Sequence, residues 1–521
     1  MKEFLSLVSI LIGQLDQQRR YDDKTLQEMK VVYENMSETE QQECLTILSD
    51  ALSEEKEFPF FLLSTLLIEL RDVKIVPCIE KLFEDEEISL WRRISNMYQL
   101  RITMFQYSLL ETGANAYQRE KQAYTKILND IRQKMGVTYT YIPYKDRKKT
   151  VVIVVSQLLG IEHAPTRKVI SISNYLSQLG YDVKVYVCFY WSEKERIDWY
   201  GAWEVNNFMY ESGSYTYRIC DTEIVGNNLV LNASDYWLKL RDSVGRIWDE
   251  APEWVLELGD KTLIGDLCRD FTSVVTMGCV KAVPVTNAPI IARYFTYSEE
   301  EEEQYRECVA GGQVIMDVKH VDDIDLGSSK SITFKKSDFG IPEECFTVIV
   351  AGSRLDTEVS NTFIKIIYEI LEKNNQIVIA FIGDCIDLQS RIEERYMERI
   401  FFLGNSEHFK ETIAIGDVFL NPPRQGGGTG GLFAIMEQVP VITLDHCDVE
   451  ASSGKEFVCS SIEEMPQLVE RYYLDHDFME KQKQNCLINA KRLLEVDNVE
   501  NFRKLCEKIE EWTLRREKNE K

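Results

Sequence analysis

Positive charge is scarce in this sequence relative to its opposite: 60 Lys and Arg stand against 86 Asp and Glu, a formal net charge of −26. A broad grip on nucleic acid or on an anionic membrane needs the reverse balance, so neither is expected as the main partner. The 13 cysteines contain no CxxC pair and form no dense framework. This argues against a zinc ribbon or a disulfide scaffold and fits reduced thiols in a cytoplasm. No apolar run is long enough to span a bilayer. The opening MKEFLSLVSILIGQLDQQRR is short and interrupted, lacks a small-residue cleavage site, and reads as a helix face. Histidine numbers only five in 521 residues, so any histidine at a strand mouth stands out.

A chain of this length exceeds one hydrophobic core and predicts about three domains at roughly 100–200 residues each. Residues 1–145 predict an all-helical N-terminal domain of six or seven helices, with a capping box at Ser37–Glu40 and prolines at 59 and 77 as punctuation. No recurring signature marks a repeat array. This region serves either as a packing or dimerisation module, through which a homo-oligomer could form, or as a platform for a macromolecular acceptor.

The pattern changes after Thr138. Val151–Val155 begins a buried strand, followed by strands at 183–190, 254–258 and 273–277, with helices at 167–179 and 235–248 between them and a local hairpin at 214–224. Residues 150–335 thus predict a Rossmann-like domain. The polar stretch 322–336 suits a passage between domains. A second Rossmann-like domain, 336–500, carries strands at 346–351, 377–382, 400–403, 418–420 and 441–444, and the helices 358–372, 387–398, 407–415 and 432–437. Residues 501–521 predict a C-terminal helix. Two such α/β sheets facing each other leave a cleft at the carboxyl ends of their strands, where ligands sit.

The densest chemical signal lies at the mouth of the second sheet. After the strand at 418–420 comes Asn421-Pro-Pro-Arg424-Gln425, then Gly426, Gly427, Gly428, Thr429, Gly430 and Gly431, and then a helix. Such a loop lets backbone approach a ligand and presents unpaired N–H groups at the positive end of a helix dipole. A phosphate is the natural guest, and Arg424, with the Thr429 hydroxyl, adds a charge and a donor for a diphosphate. Gly352, Ser353 and Arg354 follow the first strand of this sheet, placing a second guanidinium nearby. Gly383 and Gly404 close the next two strands, so that glycines at three successive strand ends predict a surface cleared for a flat ligand such as a nucleotide base. In the first α/β unit, the loop after strand one offers His163, Thr166 and Arg167. A histidine with a near-neutral pKa there could take a proton from an acceptor hydroxyl. Asn287 and Asp270 are read as further cleft wall. Asp445-His446-Cys447-Asp448 is too compact a run to surround a metal ion, and the glutamates 299–303 read as a solvated helix start.

An arginine after the first strand, the Phe402-Leu403-Gly404 strand end, and the Gly428-Thr429-Gly430-Gly431 loop ahead of Pro440 together resemble the donor domain of GT-B glycosyltransferases. The loop is similar to that of the protein O-GlcNAc transferases and the bacterial cytoplasmic protein N-glucosyltransferases. The resemblance covers about residues 150–500. It implies an α/β fold of GT-B type, two facing Rossmann-like domains preceded by a helical domain. It also implies metal-independent transfer of a hexose or N-acetylhexosamine from a nucleotide sugar, UDP-linked, to a protein or glycan acceptor, with no cofactor beyond the donor. Arg354 then carries the leaving diphosphate with Arg424, and His163 is the base if the reaction inverts. Two departures are visible. The acidic residue that commonly stands seven positions before the proline to hold the ribose is Phe433 here, with Glu437 one turn on. The lysine about five residues after the arginine is replaced by Glu358 and Val359. These keep a non-catalytic GT-B partner subunit open, beside a polysaccharide or glycolipid glycosyltransferase and a UDP-sugar epimerase.

Overall fold

The computed structural model describes residues 1–18, 22–54, 59–109, 113–160, 163–189, 198–201, 212–219, 222–309, 311–320 and 332–519. Most of the passage expected at 322–336 lies outside them. Seven α-helices among the described residues form the N-terminal region: α1 Lys2–Gln18, α2 Asp23–Glu34, α3 Glu38–Glu54, α4 Pro59–Leu70, α5 Val76–Glu84, α6 Leu90–Gln106 and α7 Ala114–Met135. Their ends are chemically marked. The Ser89 side chain accepts from the Arg92 N–H ahead of α6, and Gly136 ends α7 in the left-handed region at φ 63°, as caps of these types do.

The first sheet holds β1 Lys148–Val155, β2 Asp182–Phe189, β3 Gly213–Ile219, β4 Thr222–Val230, β5 Pro252–Leu258, β6 Ser273–Met277, β7 Ile290–Arg293 and β8 Val314–Asp317, in the order β3-β4-β2-β1-β5-β6-β7-β8. All described pairings are parallel except β3 with β4, the expected hairpin. Helices α8 Ala164–Gln178, α9 Tyr236–Glu250, α10 Leu263–Cys268 and α11 Glu299–Cys308 connect these strands. β1, β5 and β6 are buried almost throughout, because helices cover both faces of a parallel sheet.

One face of this sheet shares its core with the N-terminal helices: Val152, Val154, Val255 and Val274 pack in one cluster with Phe60, Leu66, Tyr98, Tyr124 and Ile127. Fully burying side chains of this size contributes about 1.5–3 kcal/mol each, so the helices and the sheet form one folded body. The Tyr124 hydroxyl seals the joint with a 2.7 Å hydrogen bond to Asp266 Oδ2.

The second sheet runs β11-β10-β9-β12-β13-β14, from β9 Phe346–Ala351, β10 Ile377–Ile382, β11 Ile400–Phe402, β12 Val418–Leu420, β13 Val441–Leu444 and β14 Val458–Cys459. Its helices are α12 Leu355–Glu358, α13 Asn361–Lys373, α14 Ile386–Arg391, α15 Phe409–Ile413, α16 Gly428–Met436, α17 Asp448–Ser453, α18 Met465–Leu474 and α19 His476–Leu494. Where one helix was expected over 358–372 there are two, because Ser360 caps a fresh start by accepting from the Phe363 N–H. The last helix, α20 Asn498–Asn519, returns to the first sheet. There Phe502, Leu505 and Ile509 join the core of β1 and α8.

Candidate functional site

The second sheet places β9, β12 and β13 side by side, so the loops after these strands converge. Gly427 takes φ 81° and Gly426 φ 87°, a region that glycine enters without steric cost. These two turns bring the chain from β12 into α16, which starts at Gly428. The first bonds of α16 run from Gly430 and Gly431 N–H to the Gly427 carbonyl, at 2.9 and 3.3 Å. The half-buried Thr429 lies at the same helix start.

Arg424 is buried beneath this loop. Its Nε donates to Asn421 Oδ1 at 2.8 Å and its Nη1 to Glu358 Oε2 at 2.8 Å, with both side chains of the ion pair 2% exposed. Arg354 reaches the same carboxylate through Nε at 2.9 Å, and its Nη2 donates to the Gln425 carbonyl at 2.8 Å. The two arginines read from the sequence therefore meet, and Glu358 joins them. Burial works against ionising Glu358, but the Arg424 and Arg354 guanidiniums outweigh it and hold the carboxyl below the usual glutamate range.

Two of the glycines at the strand ends are closely packed within the protein itself. A Cβ on Gly352 would lie 2.3 Å from Arg424 Nη1, and one on Gly383 would lie 1.9 Å from the Gly352 carbonyl oxygen. The space at Gly352 and Gly383 is taken up by Arg424 and by neighbouring backbone. Gly404 alone of the three has no neighbour within 4 Å of that position.

Asp448 fastens the loop from the other side. Its Oδ2 accepts from Gly426 N–H at 2.7 Å and its Oδ1 from Lys281 N–H at 2.8 Å. Lys281 follows β6, so one carboxylate bridges the mouths of the two sheets. Burial raises the Asp448 pKa, and the two N–H donors offset part of that rise. Lys281 Nζ in turn pairs with Glu301 at 2.6 Å and Glu450 at 3.1 Å, and His446 Nδ1 lies 3.1 Å from Glu301. The Asp-His-Cys-Asp run and the acidic helix start are thus parts of one interdomain ion-pair network, a role that neither stretch announces by itself. Among the described residues, no group of three His, Cys, Asp or Glu side chains is placed to hold a metal ion.

On the facing sheet, His163 precedes α8. Its Nδ1 lies 2.8 Å from Thr166 Oγ1, which also accepts from the Leu159 N–H at 2.9 Å, and its Nε2 lies 3.2 Å from Gln157 Nε2. Burial pushes this imidazole down to about 4, below the near-neutral value expected of it, which leaves it neutral near pH 7 and a weaker base than an exposed histidine. Arg167, buried one turn on, stacks over the Phe433 ring at 5.4 Å. This brings the start of α8 against α16, the helix that the glycine loop opens. Phe433 occupies the position where a ribose-binding acid was sought, and Glu437 pairs with Lys410 at 3.3 Å at the far end of α16.

Asn287 and Asp270 do not line this mouth. Asn287 bonds Thr125 of α7 and accepts Arg269 at its carbonyl, while its N–H donates to Asp266; Asp270 pairs with Arg132 of α7. Both precede strands rather than follow them, and both serve the joint with the helical region. Phe105, from α6, is the residue that sequence reasoning missed. Its ring lies 3.7 Å from Arg354 Cζ, and a lone aromatic at a helix end gave no signal of this.

No protein-family model matches the sequence, and no curated protein matches it. Solved structures do match. A mutant O-GlcNAc transferase of Thermobaculum terrenum aligns over 97% of this chain and 98% of its own length, at TM-score 0.51 and 12% identity. A glycosyltransferase from Rickettsia africae aligns over 70% of this chain and 99% of its own, at TM-score 0.51 and 11% identity. With two parallel-rich sheets facing each other behind a helical region, this chain has the GT-B glycosyltransferase fold.

Proposed function

We propose that this chain is a glycosyltransferase that moves a hexose or N-acetylhexosamine from a UDP-sugar to an acceptor, and that the acceptor is a protein. The observation that carries this reading is the convergence of Arg354, Arg424 and the start of α16 on the glycine loop at the carboxyl ends of β9 and β12. A leaving diphosphate gathers charge as the glycosidic bond breaks. Fixed guanidiniums and helix-start N–H groups stabilise that charge without reorganising. The Thr429 hydroxyl and the N–H groups of Gly428 and Thr429 are the donors nearest such a group, because the first N–H groups of a helix lack intrahelical partners.

The facing sheet supplies the acceptor side, with His163 as the base of an inverting reaction. Thr166 and Gln157 hold its ring, and in this reading the neutral imidazole takes the acceptor's proton at Nε2, where the acceptor hydroxyl replaces the Gln157 amide. Transfer needs no metal in this reading, because the arginines and helix start carry the leaving-group charge. Ten cysteines among the described residues, Cys44 and Cys486 among them, carry no disulfide, which suits a reducing cytoplasm as its place. Among the described residues no helix is long and apolar enough to cross a membrane.

A second reading has its own observation. Glu358 neutralises part of the arginine charge, and Phe433 stands where a ribose-binding acid would; both favour a GT-B subunit that binds sugar or protein without turnover. Incubating the full chain with UDP-GlcNAc and UDP-glucose and measuring released UDP separates the two. Turnover that falls on Arg354→Met supports the enzyme. Nucleotide binding without turnover supports the binding subunit.

A further inference from the structure

Among the described residues, the C-terminal turn of α6 brings the helical region to the candidate donor loop. This helix is tied to the first sheet through Arg101 and Asp260, 2.6 Å apart, and through the Tyr98 hydroxyl on the Lys261 carbonyl. Asp260 and Lys261 directly follow β5. One turn further on, the last turn of α6 meets the loops of the second sheet: the Phe105 carbonyl accepts from Arg354 Nη1 at 3.4 Å, and the Gln106 carbonyl accepts from Thr357 Oγ1 at 2.7 Å. From Tyr98 to Gln106 the helix rises about 12 Å at 1.5 Å per residue, so the C-terminal half of α6 links the two mouths.

Phe105 is 38% exposed, which is unusual for a ring so placed. Its face covers the Arg354 guanidinium at 3.7 Å, and a Cβ on Gly426 would lie 3.6 Å from Phe105 Cζ and 3.5 Å from Arg354 Nη2. Ring, guanidinium and glycine loop therefore share one corner. A planar cation held against a ring face is both oriented and shielded from water. Arg71 stacks in the same manner on Tyr107, at 3.6 Å, and so stiffens the turn that carries Phe105.

We infer that Phe105 is a positioning residue of the donor site, through which the helical region sets the orientation of Arg354 toward the diphosphate of a nucleotide sugar. This rests on the donor-site reading above. The helical region then has a task beyond packing: whatever shifts α6 shifts the diphosphate clamp.

The test is calorimetric titration of UDP into the full chain and four variants, Phe105→Leu, Phe105→Tyr, Arg354→Met and the Phe105→Leu/Arg354→Met double variant, with kcat and KM for UDP-sugar hydrolysis measured alongside. Phe105→Leu keeps an apolar side chain but loses the ring face, and it is expected to weaken UDP binding about two- to thirty-fold, the range of a cation–π contact, while the ligand-free protein stays folded with at most a small fall in Tm. Phe105→Tyr restores binding. In an Arg354→Met background, Phe105→Leu has no further effect, since it acts through Arg354. If Phe105→Leu binds UDP like the parent, or weakens binding equally without Arg354, the inference fails while the donor site stands. If the parent protein binds no UDP, the donor-site reading fails and takes this inference with it.

Discussion

Glu358 Oε2 accepts from Arg424 Nη1 at 2.8 Å, and each of these side chains is 2% exposed. The same carboxylate holds Arg354 through its other oxygen, so one anion fixes two cations that come from opposite ends of the loop cluster. The arrangement orders the guanidiniums before any ligand arrives, and it also lowers the net charge that a diphosphate would meet.

Removing that anion leaves two buried guanidiniums without their partner. Glu358→Ala is expected to cost about 3–5 kcal/mol, the usual penalty for breaking a buried ion pair, read as a lower urea midpoint at constant slope. Because the folded-state pKa of Glu358 is depressed, its contribution is fully present above the unfolded value of about 4.3 and is lost as pH falls through the folded one. Glu358→Gln should therefore flatten the stability decline of the parent below about pH 4.3.

Gly427 sits at φ 81°, and a Cβ there would lie 2.6 Å from Arg424 Nε. Gly427→Ala meets backbone strain of about 1–2 kcal/mol and displaces the guanidinium as well. The expected result is a lower Tm together with loss of UDP binding. A variant that kept full affinity would show that Arg424 does not face the ligand.

His163 is neutral over the physiological range, its imidazole pushed down to about 4 by burial. As the base, it must be unprotonated, so kcat/KM should hold steady through pH 6.5 and fall only toward pH 4. The same depression means that native stability falls as pH drops from about 6.5 toward 4, because the unfolded chain takes up the proton first. Activity that fell with a midpoint near 6.5 would place the working histidine elsewhere, and full activity in His163→Ala would remove it as the base.

Chelation gives an independent check on how the leaving group is stabilised. With two arginines and a helix start carrying the charge, UDP-sugar turnover in excess EDTA should equal that in buffer alone. A loss restored by added Mg2+ or Mn2+ would show that a metal bridges the diphosphate instead.

Much of this was legible in the chain because the signals are local. β9, β10, β12 and β13 end at the residues expected for them, since each is a short, largely apolar run bounded by a turn, and the glycine loop opens a helix as its composition requires. The strands that escaped notice, β7, β8 and β14, have four, four and two residues and carry too little pattern to register. Asn287 was misplaced because a polar residue before a proline looks like the exit from a strand, whereas here the chain is entering β7. Glu358 could be seen only as the absence of a lysine, since its partner Arg424 lies 66 residues on. Phe105 was invisible because its partner Arg354 is 249 residues away.

The most direct test of the central claim is a thermal-shift titration of the full chain with UDP, with Arg424→Met in parallel. Ligand at a hundred times its Kd should stabilise the parent by about 2.7 kcal/mol, seen as a rise of several degrees in Tm, and Arg424→Met should show no rise. A parent protein whose Tm is indifferent to UDP and to every UDP-sugar would contradict the account.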